Sequence, residues 1–493
     1  MICNFALSSM AQLLPISHIT TNNVNATILG NGMCSLLRQQ ADASGIYPCP
    51  AWEVPVGSGK QTISEQLLWL YGLDDNDSLH CNSFPWSGPL KTTDASTDLT
   101  TILKYHRVWS LSREEVDHFV AHHGETGYEI PKDILTWPAH GEGDYAQNLA
   151  PFVDMDGDGH YNPESGDYPD IKGDQCLFFI FNDMGYAYTE LEDNNIGLEA
   201  HAMVYAYNAP DDEPLNNTVF FSYKFFNRST NNYHDVYLGL ETDWDIGYLY
   251  DDYVGCDVQR GSCFAYNSTP IDGAGEPSSY GDNPPIQVLT VLAGPYLDAD
   301  GRDNPAYNND CEALFNTTHP SDKYAYNGFN FGNGIADDER MGLTGFFFHH
   351  YINPDYSYTP YQIYNRIRCL WDDGRPLLYG GDGYNLGTLD LPCKFMYPGN
   401  SDPCNWGTNG EQPEGYGNNG IYWTDLPPDY IYIIPENRVG IASVGPFSFP
   451  AAGMQELDYA MTTVWKNESQ SAMDRKGEFI DHIRTLFNNG LTK

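Results

Sequence analysis

Apolar residues in this chain fall in short runs rich in aromatic and β-branched side chains, each bounded by Asn, Asp, Gly or Pro. Such runs read as strands, because pleated, half-buried surfaces favour those side chains and the flanking residues build turns. Four are plain between Asp174 and Asp257: Cys176 to Phe181, Leu198 to Tyr207, Thr218 to Phe226 and Val236 to Glu241. Gln66 to Tyr71 is a buried-strand candidate upstream of them. Downstream, Gly345 to Tyr351, Tyr430 to Ile434, Arg438 to Ala442 and Tyr459 to Trp465 repeat the pattern.

Helical spacing is confined to two places. Ser112 and Glu115 form a capping-box signature at the start of a short helix running through Val120. Between Ser469 and Asn488, apolar residues recur at Met473, Phe479, Ile480, Ile483, Leu486 and Phe487, and Asn489 and Gly490 supply a stop. Long Gly/Asn/Pro-rich loops fill most of the stretch from about Asn267 to Tyr430.

These elements predict a mainly β fold of antiparallel β-sandwich or jelly-roll-like units with long loops, a few short helices and a C-terminal amphipathic helix. The expected organisation is a signal-peptide remnant over 1–11, an N-terminal mixed β domain over 12–150, and a calcium loop plus β-sandwich over 151–300. A loop-rich β region ending in a helix, packed on the preceding sandwich, follows over 301–493. The remnant rests on Ile2 to Ala11, a short apolar stretch closing on a small-x-small site; without a basic leader, it reads as a truncated start.

Charge narrows the partners. With 24 Lys+Arg against 67 Asp+Glu, the net charge is −43, which repels nucleic acid and anionic lipid and attracts cations. Aromatic residues make up 14%, too many for a disordered chain. No apolar run approaches the roughly 20 residues needed to span a bilayer. The 11 cysteines include no Cys-x-x-Cys zinc pattern. Cys256/Cys263 and Cys393/Cys404 are candidate local disulfides, and the odd total leaves one thiol over.

The sharpest chemical signal is Asp154-Met-Asp156-Gly-Asp158-Gly159-His160-Tyr-Asn162, which places oxygen ligands at alternate positions around glycines. Ca²⁺ takes six to eight oxygens, and this spacing lets successive side chains converge on one ion. Asp154, Asp156, Asp158 and Asn162 would bind by side chains and His160 by its carbonyl. Position 12 of the loop is Ser165 where a helix-flanked EF-hand carries Glu, so Glu164, Asp167 or Asp170 must close the shell. Pro163 and Pro169 argue for a rigid clamp rather than a moving switch.

A second acidic group, Glu241, Asp243, Asp245, Asp251, Asp252 and Asp257, predicts another cation site, chiefly through Asp243, Asp245, Asp251 and Asp252. Other motifs fall short. Gly57-Ser-Gly59-Lys60 is followed by Gln61, which breaks a phosphate loop, and no Gly-x-Ser-x-Gly elbow marks a serine nucleophile. His349 and His350 are adjacent on a strand and point to opposite faces. Asn-x-Ser/Thr matches occur at Asn25, Asn216, Asn227, Asn267, Asn316 and Asn467.

Trp137-Pro-Ala-His-Gly141, Ala150 through Pro163, Gly166 through Gln175, Phe181-Asn-Asp183, Asp251 through Asp257, Val444 through Glu456 and Thr463-Val-Trp465 together resemble segments of large secreted proteins of Bacteroidota exported through the type IX secretion system. The resemblance runs from about Asn25 to Phe487 and implies location better than activity. The chain departs from it twice. Asn330 to Glu339, with Asn333, Asp337 and Asp338 between them, keeps a late acidic loop's frame but loses several acidic ligands, and Lys493 follows the helix where a sorting domain is usual.

The expectation is a secreted, calcium-stabilised structural or adhesive cell-surface protein without catalysis. Extracellular glycans, other surface proteins or further copies of the chain are the expected partners. The rival is a carbohydrate-binding module or a glycoside hydrolase with two opposed carboxylates.

Overall fold

The strand Gln175–Asn182 shows why its apolar run is continuous rather than alternating. Leu177, Phe179 and Phe181 join one hydrophobic cluster, while Cys176, Phe178 and Ile180 join another on the opposite face. A strand covered on both sides has no solvent face to keep polar. The computed structural model describes residues 15–30, 34–35, 51–82, 85–185, 194–315, 326–350, 359–417, 420–425 and 437–491. Within these the protein is mainly β, built on two antiparallel sheets of nine strands each.

In the first sheet Ile16–Ile19, Asn25–Leu29, Cys34–Ser35, Ile63–Asp74, Tyr233–Trp244, Arg438–Phe449 and Gly345–His350 lie side by side. Trp52–Glu53 pairs with Asn25–Leu29, and Leu79–Cys81 with Ile63–Asp74. The second sheet runs Asp252–Asp257, Ser262–Asn267, Ile286–Ala293, Met454–Val464, Thr218–Asn227, Leu198–Ala206, Gln175–Asn182 and Trp86–Ser87, with Trp109–Ser112 also on Gln175–Asn182.

Inner faces of the two sheets meet in one core that extends from Ile19 to Met461. Trp52 stacks on Phe221 at 6.1 Å, and Tyr459 donates its hydroxyl to Gln66 Oε1 across the gap at 2.7 Å. Ile63–Asp74, Tyr233–Trp244 and Arg438–Phe449 are hydrogen-bonded neighbours, although they come from the 12–150, 151–300 and 301–493 segments. Those segments therefore share one sandwich rather than forming separate packed units. Pairing partners hundreds of residues apart leave no local trace in the chain, which is why the run pattern suggested more units.

The chain changes sheets between Thr218–Asn227 and Tyr233–Trp244, and again between Arg438–Phe449 and Met454–Val464. Asn227 pins both corners: its buried amide donates to the carbonyls of Asn231, Phe449 and Pro450. That role excludes a glycan at Asn227, and Asn267 is buried as well. Asn467 is exposed, whereas Asn316 lies outside the described residues.

Helices cover the outer face of the second sheet. Arg113–His122 begins with the expected Ser112/Glu115 capping box and buries Val116 and Phe119. Ala472–Asn488 is the C-terminal helix, with Phe479, Ile480 and Ile483 buried against the sheet. Two basic residues on it are buried too, because Lys476 reaches Asp257 at 2.9 Å and Arg475 pairs with Glu213. Among the described residues no helix is long and apolar enough to cross a membrane.

A disulfide joins Cys311 to Cys404 over 93 positions, so Cys404 is not paired with Cys393 as its proximity in sequence suggested. Cys256 and Cys263 are cross-strand neighbours but remain thiols, Cys256 donating to the Met396 carbonyl at 3.2 Å. The strand expected over Tyr430 to Ile434, the 1–11 segment and Tyr351 lie outside the described residues.

Candidate metal centre

The Asp154 loop is the tip of a small hairpin. Phe152–Val153 pairs with Tyr168–Pro169, which brings the two ends of the loop together. Beneath it, Trp137 Nε1 donates to the Pro151 carbonyl at 2.9 Å, and Tyr161 donates its hydroxyl to the Ile134 carbonyl at 2.6 Å. His140 Nε2 accepts the Tyr161 amide at 3.0 Å. The Trp137-Pro-Ala-His-Gly141 segment is thus the seat of the loop.

Within it Gly157 and Gly159 have φ of 75° and 78°, left-handed values that cost little for glycine. Their amides turn inward and donate to Asp154 Oδ1 at 2.7 Å and Oδ2 at 2.8 Å. The Gly159 amide, aided by that of Gly157, holds the Asp154 carboxyl below the usual carboxylate range. The result is a convergence of charge: Asp154, Asp156 and Asp158 each present an oxygen, all within 4.8 Å of one another. Among the described residues this is the only such set of three or more Asp, Glu, His or Cys groups. An all-oxygen, all-anionic donor set suits a hard divalent cation such as Ca²⁺.

Other expected ligands take different places. Asp167 is fully buried beneath the loop, and its Oδ1 and Oδ2 accept the amides of Met155 and Asn162 at 2.7 and 2.8 Å. It works as a clasp across the loop. Asn162 turns its Oδ1 to the Glu164 amide at 3.1 Å, starting a short 3₁₀ turn over Pro163–Ser165. His160 is exposed with its ring 5.9 Å from that of His140, and Asp170 is exposed beyond the hairpin base. Replacing Asp167 by Ala strands two backbone donors, at roughly 1–3 kcal/mol each. Asp167→Ala is expected to weaken calcium binding by about tenfold or more in a calorimetric titration, and Asp170→Ala to leave it unchanged.

The second acidic group divides. Leu238, Leu240 and Trp244 point into the core, so alternation turns Glu241 and Asp243 to the other face of that strand. Asp245, Asp251 and Asp252 instead gather where the chain leaves the first sheet for the second, and Asp272 joins them. Burial drives the Asp252 carboxyl well above its usual range, with Asp245, Asp251 and Asp272 adding repulsion. Asp272 is likewise pushed up to about 6, chiefly by burial. Asp272 closes a loop, accepting the Tyr248 amide at 3.0 Å and that of Tyr280. Gly247 makes room for it: a Cβ there would sit 2.1 Å from Asp272 Oδ2, and φ is 73°. Asp272 did not stand out in the sequence, and Asn267 did so only as an Asn-x-Ser/Thr match. The register pairing Asp252 with Asn267 is what brings the latter in.

A cavity of about 430 Å³ lies beside the C-terminal helix, lined by Tyr307, Tyr326, Phe329, Phe331, Arg484 and Asn488 among others. No Asp or Glu lines it, so it lacks the carboxylate pair that glycoside hydrolysis uses. Comparison of the chain with protein-family models, curated proteins and solved structures returns no match to any of them.

Proposed function

We propose that this protein is a secreted, calcium-stabilised structural or adhesive module of the cell surface, without catalytic activity. The carrying observation is the convergence of Asp154, Asp156 and Asp158 on a loop clasped by Asp167 and seated on Trp137 and His140. Such a clamp orders a long loop and moves nothing, which suits a scaffold that meets steady, high calcium. The Cys311–Cys404 disulfide fits an oxidising compartment outside the cytosol. A surface carrying −43 is compatible with neighbours bridged through divalent ions, and extracellular glycans, other surface proteins and further copies of this chain are its candidate partners.

The test is a thermal melt with and without calcium, on the wild type and on Asp154→Asn/Asp156→Asn/Asp158→Asn. Ion at a hundred times its dissociation constant adds about 2.7 kcal/mol to the folded state, so the wild-type midpoint should rise by a few degrees. The triple variant should lose the increment due to the loop. A wild-type melt indifferent to EDTA, with no calcium found by elemental analysis, would reject the reading.

A further inference from the structure

Four buried carboxylates in this protein are matched by a cation, whereas others, such as Asp167 and Asp183, place both oxygens on backbone amides. Glu199 has Arg228 and His201, Asp257 has Lys476, Asp458 has Arg340, and Asp425 has Arg438. At the corner between the sheets, Asp251 and Asp252 have neither arrangement. Among the described residues Asp251, Asp252 and Asp272 form no ion pair with Lys, Arg or His, although Asp252 and Asp272 are fully buried. Lys60, whose ammonium lies 5.5 Å from the Tyr280 ring, forms none with them either.

Their oxygens are also short of donors. Asp252 Oδ2 accepts the Ile246 amide at 3.0 Å, but Asp252 Oδ1 is buried with no hydrogen-bond partner. Asp251 repeats this, with Oδ2 on the Gly273 amide at 3.0 Å and Oδ1 buried and unpartnered. Asn267 stands directly opposite Asp252 on the neighbouring strand, and side chains so paired share a face. Its Nδ2 donates to the carbonyls of Thr269 and Ile271 at 2.9 and 3.0 Å, which fixes the amide and leaves Oδ1, nine-tenths buried, with no partner. Orphaned acceptors of this kind are costly to bury, more so when charged, unless something electropositive fills the space.

We propose that this corner is a second cation site, taking one largely dehydrated divalent ion of the calcium type between the two sheets. Asp252 and Asn267 contribute Oδ1 from the second sheet's edge, and Asp251 contributes Oδ1 from the crossover. Asp245, held by Gln61 Nε2 at 3.2 Å, and Asp272 complete the negative field. Two carboxylates and one amide oxygen balance a 2+ charge, and the mixed set explains the looser spacing: no three of these carboxylates approach within 4.8 Å. All-oxygen coordination selects Ca²⁺ over Zn²⁺ or copper. The site is independent of the Asp154 loop, being buried where that loop is exposed, and it ties Tyr233–Trp244 to Asp252–Asp257 across the sandwich edge.

Metal content after gel filtration from calcium buffer into calcium-free buffer tests this, with circular dichroism as the check on folding. Wild type should carry two calcium ions, Asp252→Asn one, and Asp154→Asn/Asp156→Asn/Asp158→Asn one. The ion left in the triple variant should leave slowly on adding EDTA, because the corner must open to release it. If Asp252→Asn fails to fold, Asp251→Asn, at a half-buried position, serves in its place. A triple variant with no bound ion, or a folded corner variant with undiminished calcium, overturns the proposal. A triple variant that carries as much calcium as wild type would instead count against the Asp154 reading.

Discussion

Arg438→Met is expected to destabilise the protein by about 3–5 kcal/mol, the cost of leaving a buried charge without its partner. Arg438 and Asp425 are both fully buried, with Nε 3.1 Å from Asp425 Oδ2. The guanidinium is packed 4.7 Å from the Phe348 ring centre and 5.7 Å from that of Tyr253, so no solvent reaches it. Burial raises the Asp425 carboxyl in spite of the arginine, which means desolvation outweighs the attraction. The pair is therefore costly to break and of small net benefit to keep. Asp425→Leu/Arg438→Met should accordingly be more stable than Arg438→Met alone, as read from urea denaturation midpoints. A double variant as unstable as the sum of its parts would contradict this account.

Lowering the pH should erode a second buried network, centred on Glu199. Its Oε1 accepts from His201 Nε2 at 2.8 Å and Arg228 Nη2 at 2.7 Å, and Oε2 accepts the Leu90 amide at 2.7 Å. Burial alone would raise this carboxyl, but His201 and Arg228 outweigh it and bring it down to about 2. The ordinary glutamate value is 4.5. A depressed folded value means the unfolded chain binds the proton more readily, so the contribution is full above 4.5 and is lost as pH falls toward 2. The shift corresponds to roughly 3 kcal/mol. The stability gap between wild type and Glu199→Gln should thus narrow as pH falls below about 5. A gap that ignores pH would show that the carboxylate charge is not what matters there.

Features set by neighbouring residues were legible in the chain. The Asp154 loop was, because its three carboxylates and its glycines lie within six positions and converge through local turns. The capping box at Ser112 and the buried face of the C-terminal helix were legible for the same reason. The role of Asp167 was only half visible: its acidity marked it as a ligand, whereas the fold buries it and uses both oxygens on backbone amides. Asn267 read as a glycan acceptor, since nothing within a few residues shows that it faces Asp252.

The sequence by itself determined a β-rich chain, the positions of most strands, one loop of converging carboxylates and a strongly negative net charge. Each follows from composition or from contacts a few residues apart. Tertiary structure alone decided that all segments share one sandwich, that Cys404 finds Cys311, that Asn227 pins two corners, that Asp252 faces Asn267 across two strands and that Asp272 comes within electrostatic reach of Asp252. Those outcomes depend on strand register between distant segments. Register is selected by burying whole faces at once, so no local stretch of chain carries it.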